Sequence, residues 1–200
     1  MSGTADGADR REPALSFSPQ LLLAARGPGE GIAAALFDVD GVLTDGRIYV
    51  GEAGESFKAF CTLDGHGLKL LPRGGIVPVV ISGRDSPALR RRLRDLGVAH
   101  AALGAGDKLA AAESILNELG LDWTRVAAIG DDWPDLPLLD RAAFACAPPD
   151  AHVEVRAIVD HVTTARGGFG AAREFCDLLL VAAGRYRQLL DDLPRSLDGR

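Results

Sequence analysis

The sequence of 200 residues predicts an α/β fold, with an open, parallel, Rossmann-like sheet and helices on both faces. Short apolar runs alternate with longer amphipathic stretches, which is the pattern of repeated strand–helix–strand units. The runs are apolar almost throughout, as expected of strands that are covered on both sides. The length suits one domain.

The elements follow in order along the chain. A short helix is expected after Ser18-Pro19, because serine favours the N-cap and proline the first helical position, and it stops at Gly27. The predicted strands cover residues 32–37, 76–81, 98–103, 126–129, 144–147 and 159–162. The predicted helices that follow the first strand cover residues 67–73, 87–96, 108–119, 136–142, 151–157 and 171 to about 190.

One segment interrupts the alternation directly after the first strand. Residues 47–50 and 55–60 are two short β-like runs on either side of a glycine-bearing turn, which predicts a hairpin. The hairpin and one helix fill the space before residue 76, so we expect a small β-hairpin flap and no large cap domain. We also expect a disordered tail over residues 1–16, one domain over 17–190 and a frayed tail over 191–200.

The composition excludes some classes of partner. The formal charge is 22 − 28 = −6, which argues against binding to nucleic acid or to an anionic membrane surface through the overall field. No apolar run approaches the roughly 20 residues that span a bilayer. Three scattered cysteines form neither a disulfide framework nor a metal-binding motif, which favours a reducing, cytoplasmic location.

Polar and charged residues follow four of the predicted strands. The carboxyl ends of parallel strands lie at one edge of a sheet, where ligands bind in open α/β folds. Taken alone, each segment also fits an ordinary turn or helix start, and it is their combination that indicates one phosphoryl-transfer site. The four segments are Asp38-x-Asp40, Ser82-Gly83-Arg84, Lys108, and Asp131-Asp132 with Asp135.

Each segment offers a group that phosphoryl transfer needs. Asp38 and Asp40 can serve as nucleophile and as general acid/base. Ser82, the backbone beside it and Arg84 suit an oxyanion. Lys108 would begin a helix, where the macrodipole disfavours a cation, so an anionic neighbour would explain its position. The acidic cluster from residue 131 suits a hard cation such as Mg²⁺, although acids at a helix start are the alternative.

In order and spacing, these motifs resemble those of the haloacid dehalogenase superfamily phosphatases. The resemblance implies that Asp38 attacks phosphorus and becomes an aspartyl-phosphate, while Asp40 protonates the leaving group and then activates water. It implies that Ser82 and Lys108 hold the phosphoryl oxygens. The implied ligands of a Mg²⁺ cofactor are the Asp38 carboxylate, the Asp40 backbone carbonyl and Asp131, with Asp132 and Asp135 as supporting or alternative ligands.

Residues 32–183 resemble more closely the 3-deoxy-D-manno-octulosonate 8-phosphate phosphatase family, which serves lipopolysaccharide synthesis. The resemblance rests on residues 37–46, 58–60, 64–67, 82–84, 130–132 and 167–180. It implies a phosphorylated sugar acid as substrate, and the carboxylate of such a substrate needs cations. The implied substrate-binding residues besides Asp40 and Lys108 are Cys61, Thr62, Leu63, Asp64, Gly65, Lys69, Arg84 and Arg92, of which Lys69 and Arg92 also fit a solvated helix face.

Three residues depart from that family's pattern, namely Cys61, Leu63 and Phe169, and they leave the identity of the sugar open. The alternatives are a phosphatase for a nine-carbon sialic-type sugar acid, a general small-phosphate hydrolase, or a catalytically silent tetramerisation module of a sugar-nucleotide synthetase. The silent module is disfavoured because such modules lose the residues that match Asp38, Asp40 or Lys108.

The predicted hairpin also indicates a partner. A lone two-stranded hairpin is marginal in water, and this one would leave apolar side chains exposed. The resemblance implies a homotetramer in which neighbouring hairpins join and adjacent subunits wall in each site. The side chains concerned are Ile48, Tyr49, Val50, Phe57 and Phe60.

Overall fold

The computed structural model describes residues 13–52 and 54–193 and contains a six-stranded parallel sheet in the order β5-β4-β1-β6-β7-β8. A separate antiparallel hairpin, β2-β3, follows β1. The predicted fold class is therefore confirmed. The strands are β1 (Ala34–Phe37), β2 (Tyr49–Gly51), β3 (Gly54–Phe57), β4 (Val77–Ser82), β5 (His100–Leu103), β6 (Val126–Ile129), β7 (Phe144–Ala147) and β8 (His161–Val162).

Eight α-helices within the described residues cover the sheet on two sides. Helices α1, α2, α3, α7 and α8 pack on one face, and α4, α5 and α6 pack on the other. Within this part of the chain, no helix has both the length and the apolar content needed to cross a membrane. The helices are α1 (Pro19–Arg26), α2 (Thr62–Leu70), α3 (Pro87–Leu96), α4 (Lys108–Leu119), α5 (Leu136–Leu139), α6 (Val153–Ile158), α7 (Ala171–Ala182) and α8 (Tyr186–Asp191).

The central strand β1 belongs to both apolar layers, because successive side chains of a strand point to opposite faces. Phe37 packs edge-on against Phe175 of α7, with ring centroids 5.4 Å apart. Leu36 points the other way, into the layer that contains Leu116 of α4. All four residues of β1 are buried. The buried strand therefore fixes the position of the residues that directly follow Phe37.

Side chains cap the starts of several helices, at Ser18 as predicted and also at Asp107. Ser18 accepts a hydrogen bond from the Leu21 N–H at 3.2 Å, and Pro19 is the first residue of α1. Asp107 caps α4 by accepting from the Ala110 N–H at 3.0 Å. Side-chain oxygens at the N-cap satisfy amide groups that lack a partner within the helix. Capping thus sets the position of Lys108, the residue that follows Asp107.

The prediction for α2 was wrong. The helix begins at Thr62 rather than at residue 67, so residues 61–65 form an N-cap and a first helical turn and not a loop. A Cβ atom on Gly65 would lie 2.2 Å from an Arg92 nitrogen, and one on Gly67 would lie 3.0 Å from the Cys176 sulfur. The two glycines allow close packing against α3 and α7, and this packing outweighs their low helix propensity.

Other helix bounds also differ from the prediction. The expected final helix is two helices, because Gly184 adopts a left-handed conformation with φ of 68° between α7 and α8. Helix α5 ends at Leu139, and α6 runs over Val153–Ile158. Of the two predicted tails, residues 1–12 and 194–200 lie outside the described residues, while Asp191 is the last residue of α8.

Candidate active site

The four polar segments meet at the carboxyl edge of the sheet. The Asp38 N–H donates to the Ile129 carbonyl at 3.1 Å, and the Ala105 N–H donates to the Ser82 carbonyl at 3.0 Å. These bonds join the segments in pairs around a pocket of about 770 Å³. The pocket is lined by Asp38, Asp40, Gly46, Ser82, Gly83, Arg84, Ala105, Gly106, Asp107, Lys108, Leu109, Asp131, Asp132, Pro134, Asp135 and Pro137.

Lys108 binds two carboxylates at the centre of the pocket. Its Nζ atom donates to an Asp38 oxygen and to an Asp135 oxygen, each at 2.6 Å. Burial lowers the pKa of Lys108, but the charges of Asp38 and Asp135 outweigh burial and raise the pKa overall. The anionic neighbour expected from the position of Lys108 at a helix start is therefore present.

Asp38 is buried at the end of β1. Burial and repulsion from Asp135 raise the pKa of Asp38 to about 6, against the lowering effect of Lys108. One of its oxygens bonds to Lys108, and the group opens into the pocket. A carboxylate that is desolvated and oriented by a lysine in this way can attack an electrophilic atom bound in the pocket.

Asp38, Asp131 and Asp135 offer carboxylate oxygens that all lie within 4.8 Å of one another. Burial, followed by repulsion from Asp38 and Asp135, raises the pKa of Asp131 to about 8. Oδ1 of Asp131 is buried and has no hydrogen-bond partner. Crowded carboxylates with an unsatisfied buried oxygen fit a hard divalent cation that prefers oxygen ligands.

Asp135 differs from Asp131 in how its oxygens are used. One oxygen accepts from Lys108, and the other accepts from the N–H groups of Asp131 and Asp132 at 3.1 and 3.3 Å. These bonds fix the acidic loop in place. Asp135 therefore orients the loop that carries Asp131, while Asp131 retains a free oxygen.

The Asp40 side chain contacts a lysine of the hairpin and an arginine that follows β4. Lys58, which follows β3, donates a hydrogen bond from Nζ to Oδ1 of Asp40 and lies 3.6 Å from Glu55. Arg84 lies 3.8 Å from the other Asp40 oxygen and donates to Glu55 at 2.9 Å. No role was predicted from the sequence for Lys58 or Glu55. The available signal was that Lys58 belongs to residues 58–60, which are among those that carry the family resemblance.

Two glycine contacts hold the first loop in place. Gly41 has a φ of 104°, and a Cβ on Gly167 would lie 1.8 Å from the Gly41 carbonyl oxygen. The Gly168 N–H donates to the Val42 carbonyl at 2.9 Å. The glycine-rich segment that contains Gly167 and Gly168 therefore packs directly against the backbone that follows Asp40.

Most of the residues expected to bind the sugar lie outside the pocket. Asp64 is buried and accepts the N–H groups of Gly170 and Arg173 at 3.3 and 2.8 Å, so it caps α7. Arg92 donates to the Cys61 carbonyl at 3.3 Å and lies over the Phe60 ring. Arg84 does line the pocket. The residues that do not line it are Cys61, Thr62, Leu63, Asp64, Gly65, Lys69 and Arg92.

Ser82 ends β4 and is almost fully buried at the pocket wall. Its Oγ accepts a hydrogen bond from the Arg84 N–H at 3.1 Å. A hydroxyl keeps a donor hydrogen after it accepts such a bond, so Ser82 can still donate to an oxygen in the pocket. The structure thus brings together Asp38, Asp40, Ser82, Arg84, Lys108 and Asp131 in one pocket.

Comparison with known proteins agrees with this geometry. A family model described as haloacid dehalogenase-like hydrolase matches residues 103–172. The chain is 42% identical over 156 residues to the 3-deoxy-D-manno-octulosonate 8-phosphate phosphatase of Haemophilus influenzae, covering 78% of this chain and 87% of the relative.

Two solved structures extend the comparison. The 3-deoxy-D-manno-octulosonate 8-phosphate phosphatase of Moraxella catarrhalis, in complex with magnesium ion, phosphate ion and a KDO molecule, has a TM-score of 0.80 at 37% identity, covering 86% of this chain and 96% of that one. The cobalt-bound Haemophilus influenzae phosphatase has a TM-score of 0.76 at 40% identity, covering 82% and 92%. The chain therefore belongs to the 3-deoxy-D-manno-octulosonate 8-phosphate phosphatase family of the haloacid dehalogenase-like hydrolases, and it is a phosphatase.

Proposed function

We propose that the protein is a Mg²⁺-dependent phosphatase that hydrolyses 3-deoxy-D-manno-octulosonate 8-phosphate during the synthesis of lipopolysaccharide precursors. The observation that carries the proposal is the pairing of Asp38 with Lys108 beside the unsatisfied oxygen of Asp131. Such a site offers a nucleophile, a cation for phosphoryl oxygens and a position for a divalent ion. The relatives named above support the choice of substrate.

The side chains of Asp38 and Asp131 and the backbone carbonyl of Asp40 would hold the Mg²⁺ ion. When bound, the ion supplies positive charge that stabilises the transferring phosphoryl group. The magnesium and cobalt ions in the two related structures support a divalent cation here. The raised pKa values of Asp38 and Asp131 also fit the proposal. Burial raises both, with repulsion from Asp135 on Asp38 and from Asp38 and Asp135 on Asp131, and a cation would relieve that repulsion.

The reaction then follows from the positions of the side chains. Asp38 attacks phosphorus as the bond from phosphorus to the sugar oxygen breaks, and Asp40 gives its proton to that oxygen. Lys108 and Ser82 hold the phosphoryl oxygens and keep the group oriented. Asp40, now a carboxylate, takes a proton from water as the water attacks the aspartyl-phosphate, which releases inorganic phosphate and restores Asp38.

Arg84 is the residue that we assign to the sugar-acid end of the substrate. It lines the pocket beside Asp40, and a guanidinium can bind a carboxylate through two parallel hydrogen bonds. The predicted substrate-binding residues 61–65, Lys69 and Arg92 do not line the pocket of the single chain. We assign Arg92 and Asp64 to positioning of α2, on the basis of their contacts with Cys61, Gly170 and Arg173.

We further propose a homotetramer that works in the cytoplasm. The hairpin exposes Ile48, Val50 and Phe57, and Leu63 and Phe169 are exposed as well. Apolar side chains on a small hairpin favour burial against another copy of the chain. The three cysteines are free, which fits a reducing compartment.

Phosphate release from a panel of substrates tests the proposed function. The panel contains 3-deoxy-D-manno-octulosonate 8-phosphate, a nine-carbon sialic-type sugar acid phosphate and glucose 6-phosphate, which lacks a carboxylate. We expect the highest kcat/KM for the eight-carbon acid, in the presence of Mg²⁺ only. Equal rates on all three would indicate a general phosphatase, and preference for the nine-carbon acid would overturn the substrate while keeping the chemistry.

A further inference from the structure

Each carboxylate of the Asp38–Asp40 pair has a lysine of its own. Lys108, from the core of the domain, binds Asp38, and Lys58, from the end of the hairpin, binds Asp40. Within residues 13–52 and 54–193, Lys58 is the one side chain that donates a hydrogen bond to Asp40. Through this lysine the hairpin therefore contacts Asp40, one of the residues that line the pocket.

The Lys58 side chain is buried, although it belongs to a hairpin whose other side chains are largely exposed. Only 1% of the side chain is accessible to solvent. A buried ammonium group is costly unless it is paired, and Lys58 is paired with both Asp40 and Glu55. Glu55 in turn accepts from Arg84. The two cations and two carboxylates form a closed network that joins the hairpin to the loop of Asp40.

This network matters because, among the described residues, the Asp40 side chain accepts one hydrogen bond, from Lys58, and has one longer ion pair, with Arg84 at 3.8 Å. Within residues 13–52 and 54–193, no hydrogen bond joins the core to the Asp40 side chain, whereas Asp38 accepts one from Lys108. A general acid must lie within hydrogen-bond reach of the leaving oxygen, and a displacement of 1 Å can cost about 10²-fold in rate. The hydrogen bond from Lys58 is the closer of the two contacts, so it restricts the Asp40 side chain more than Arg84 does.

We propose that Lys58 is a positioning residue for Asp40, so that the hairpin takes part in leaving-group protonation. The inference rests on the proposed role of Asp40 as general acid/base. Lys58 transfers no proton itself. As the bond from phosphorus to the sugar oxygen breaks, the proton passes from Asp40 to that oxygen, and Lys58 holds the carboxyl group in line with it.

Leaving-group dependence separates this role from a purely structural one. An alkyl phosphate such as 3-deoxy-D-manno-octulosonate 8-phosphate leaves as a strongly basic alkoxide and needs the proton, whereas p-nitrophenyl phosphate leaves as a stable anion. We expect Lys58→Met to lower kcat on the alkyl phosphate by about 10- to 100-fold, and on p-nitrophenyl phosphate by less than about threefold. Both rates are measured on one preparation, so any loss of folded protein cancels in their ratio.

Three further variants complete the test. The ratio compared is kcat on the alkyl phosphate divided by kcat on p-nitrophenyl phosphate. Lys58→Arg keeps the positive charge and should restore most of the wild-type value of this ratio. Arg47→Met removes an exposed cation at the start of the hairpin and should leave the ratio at the wild-type value. In an Asp40→Asn background, Lys58→Met should cause no further loss on the alkyl phosphate, since the group that it positions is already gone.

Equal losses on both substrates, or losses that multiply in the double variant, would overturn the role of Lys58. If the wild-type protein does not hydrolyse the eight-carbon acid, the substrate proposed above is wrong, and the ratio is then measured with the best alkyl phosphate of the panel. If Asp40→Asn retains full activity on that alkyl phosphate, the general-acid role fails and the inference about Lys58 fails with it.

Discussion

The backbone of Gly41 lies against the carboxylate of Asp131 so closely that a Cβ atom on Gly41 would be 2.0 Å from Oδ2. The φ of Gly41 is 104°, a conformation that residues with side chains rarely adopt. The loop that follows β1 and the acidic loop that follows β6 can approach each other only because this position has no side chain. The geometry of the proposed metal site therefore depends on a glycine that is not a ligand.

Replacing this glycine should weaken metal binding. We expect Gly41→Ala to lower the affinity for Mg²⁺ by at least about tenfold, as found when groups that orient ligands are altered. Gly54 has a nearly identical φ of 106°, and a Cβ atom at that position would meet nothing within 4 Å, so Gly54→Ala is a matched control for backbone strain. Isothermal titration calorimetry measures both affinities. Equal effects of the two variants would mean that strain, and not the contact with Asp131, accounts for the loss.

Removal of the nucleophile should abolish turnover. We expect Asp38→Asn to lower kcat by at least about 10³-fold, because an amide cannot accept the phosphoryl group. Asp95→Asn, at an exposed salt bridge on α3, serves as the control and should retain full activity. Steady-state phosphate release measures both. Near-normal turnover in Asp38→Asn would exclude the aspartyl-phosphate mechanism.

Removal of the metal should stop the reaction reversibly. We expect EDTA to abolish phosphate release and excess Mg²⁺ to restore it. Ca²⁺ should restore it poorly, because its longer and looser coordination would displace the nucleophile. In Asp131→Asn the concentration of Mg²⁺ needed for half-maximal activity should rise by at least about tenfold. Undiminished activity in the chelator would remove the metal from the mechanism.

The metal-free protein should lose stability as the pH rises. The unfolded chain releases the proton of Asp131 near the ordinary pKa of 3.8, whereas the folded protein keeps it until about pH 8. The unfolded state therefore binds fewer protons across that interval, and the free energy of unfolding falls with rising pH. Asp38, with its pKa raised to about 6, acts in the same direction.

Urea unfolding in EDTA between pH 5 and pH 8 measures this effect. We expect the free energy of unfolding to fall less steeply for Asp131→Asn than for the wild type, because the variant has no carboxyl group to titrate at that position. Saturating Mg²⁺ should make the free energy of unfolding of the wild type depend less steeply on pH, since the ion compensates the crowded negative charges. Parallel slopes for wild type and variant in EDTA would contradict the assignment.

The proposed assembly should depend on the exposed hairpin. We expect a native mass of about four times the chain mass of 21.0 kDa. A charge at a buried apolar interface is unfavourable, so Val50→Asp should dissociate the assembly. Val153 is also exposed but lies on α6, away from the hairpin sequence. Val153→Asp should leave the assembly intact. Sedimentation velocity distinguishes the species, and a wild-type monomer at micromolar concentration would contradict the tetramer.

Most of the sheet could be predicted from the sequence because its strands are continuous apolar runs between polar breaks. The predicted bounds of β6 and β7 match the structure, and those of α3 and α4 match as well. Both helices begin after a side-chain N-cap and end before a glycine in a left-handed conformation. These signals are local, so they can be recognised without knowledge of the tertiary structure.

The structural features that could not be predicted from the sequence depend on contacts between residues far apart in the chain. Gly65 and Gly67 disfavour a helix locally, and only their packing against α3 and α7 explains why α2 includes them. The burial of Lys58 has the same kind of cause, because its side chain becomes buried only where the hairpin meets the loop of Asp40. The capping of α7 by Asp64 also has no local signal, because its partners Gly170 and Arg173 lie more than 100 positions further along the chain.

The capping of α7 by Asp64 has a consequence for folding during synthesis. Its two hydrogen bonds span 106 and 109 positions, so they close a loop of more than half the chain, and contacts of such separation form slowly. Every residue of the phosphoryl-binding pocket has been synthesised by Pro137. The contact of Gly167 with Gly41 and the cap on α7 must await the last part of the chain. We therefore expect a nascent chain that is stalled before Gly167 to contain all the proposed catalytic residues and yet lack activity.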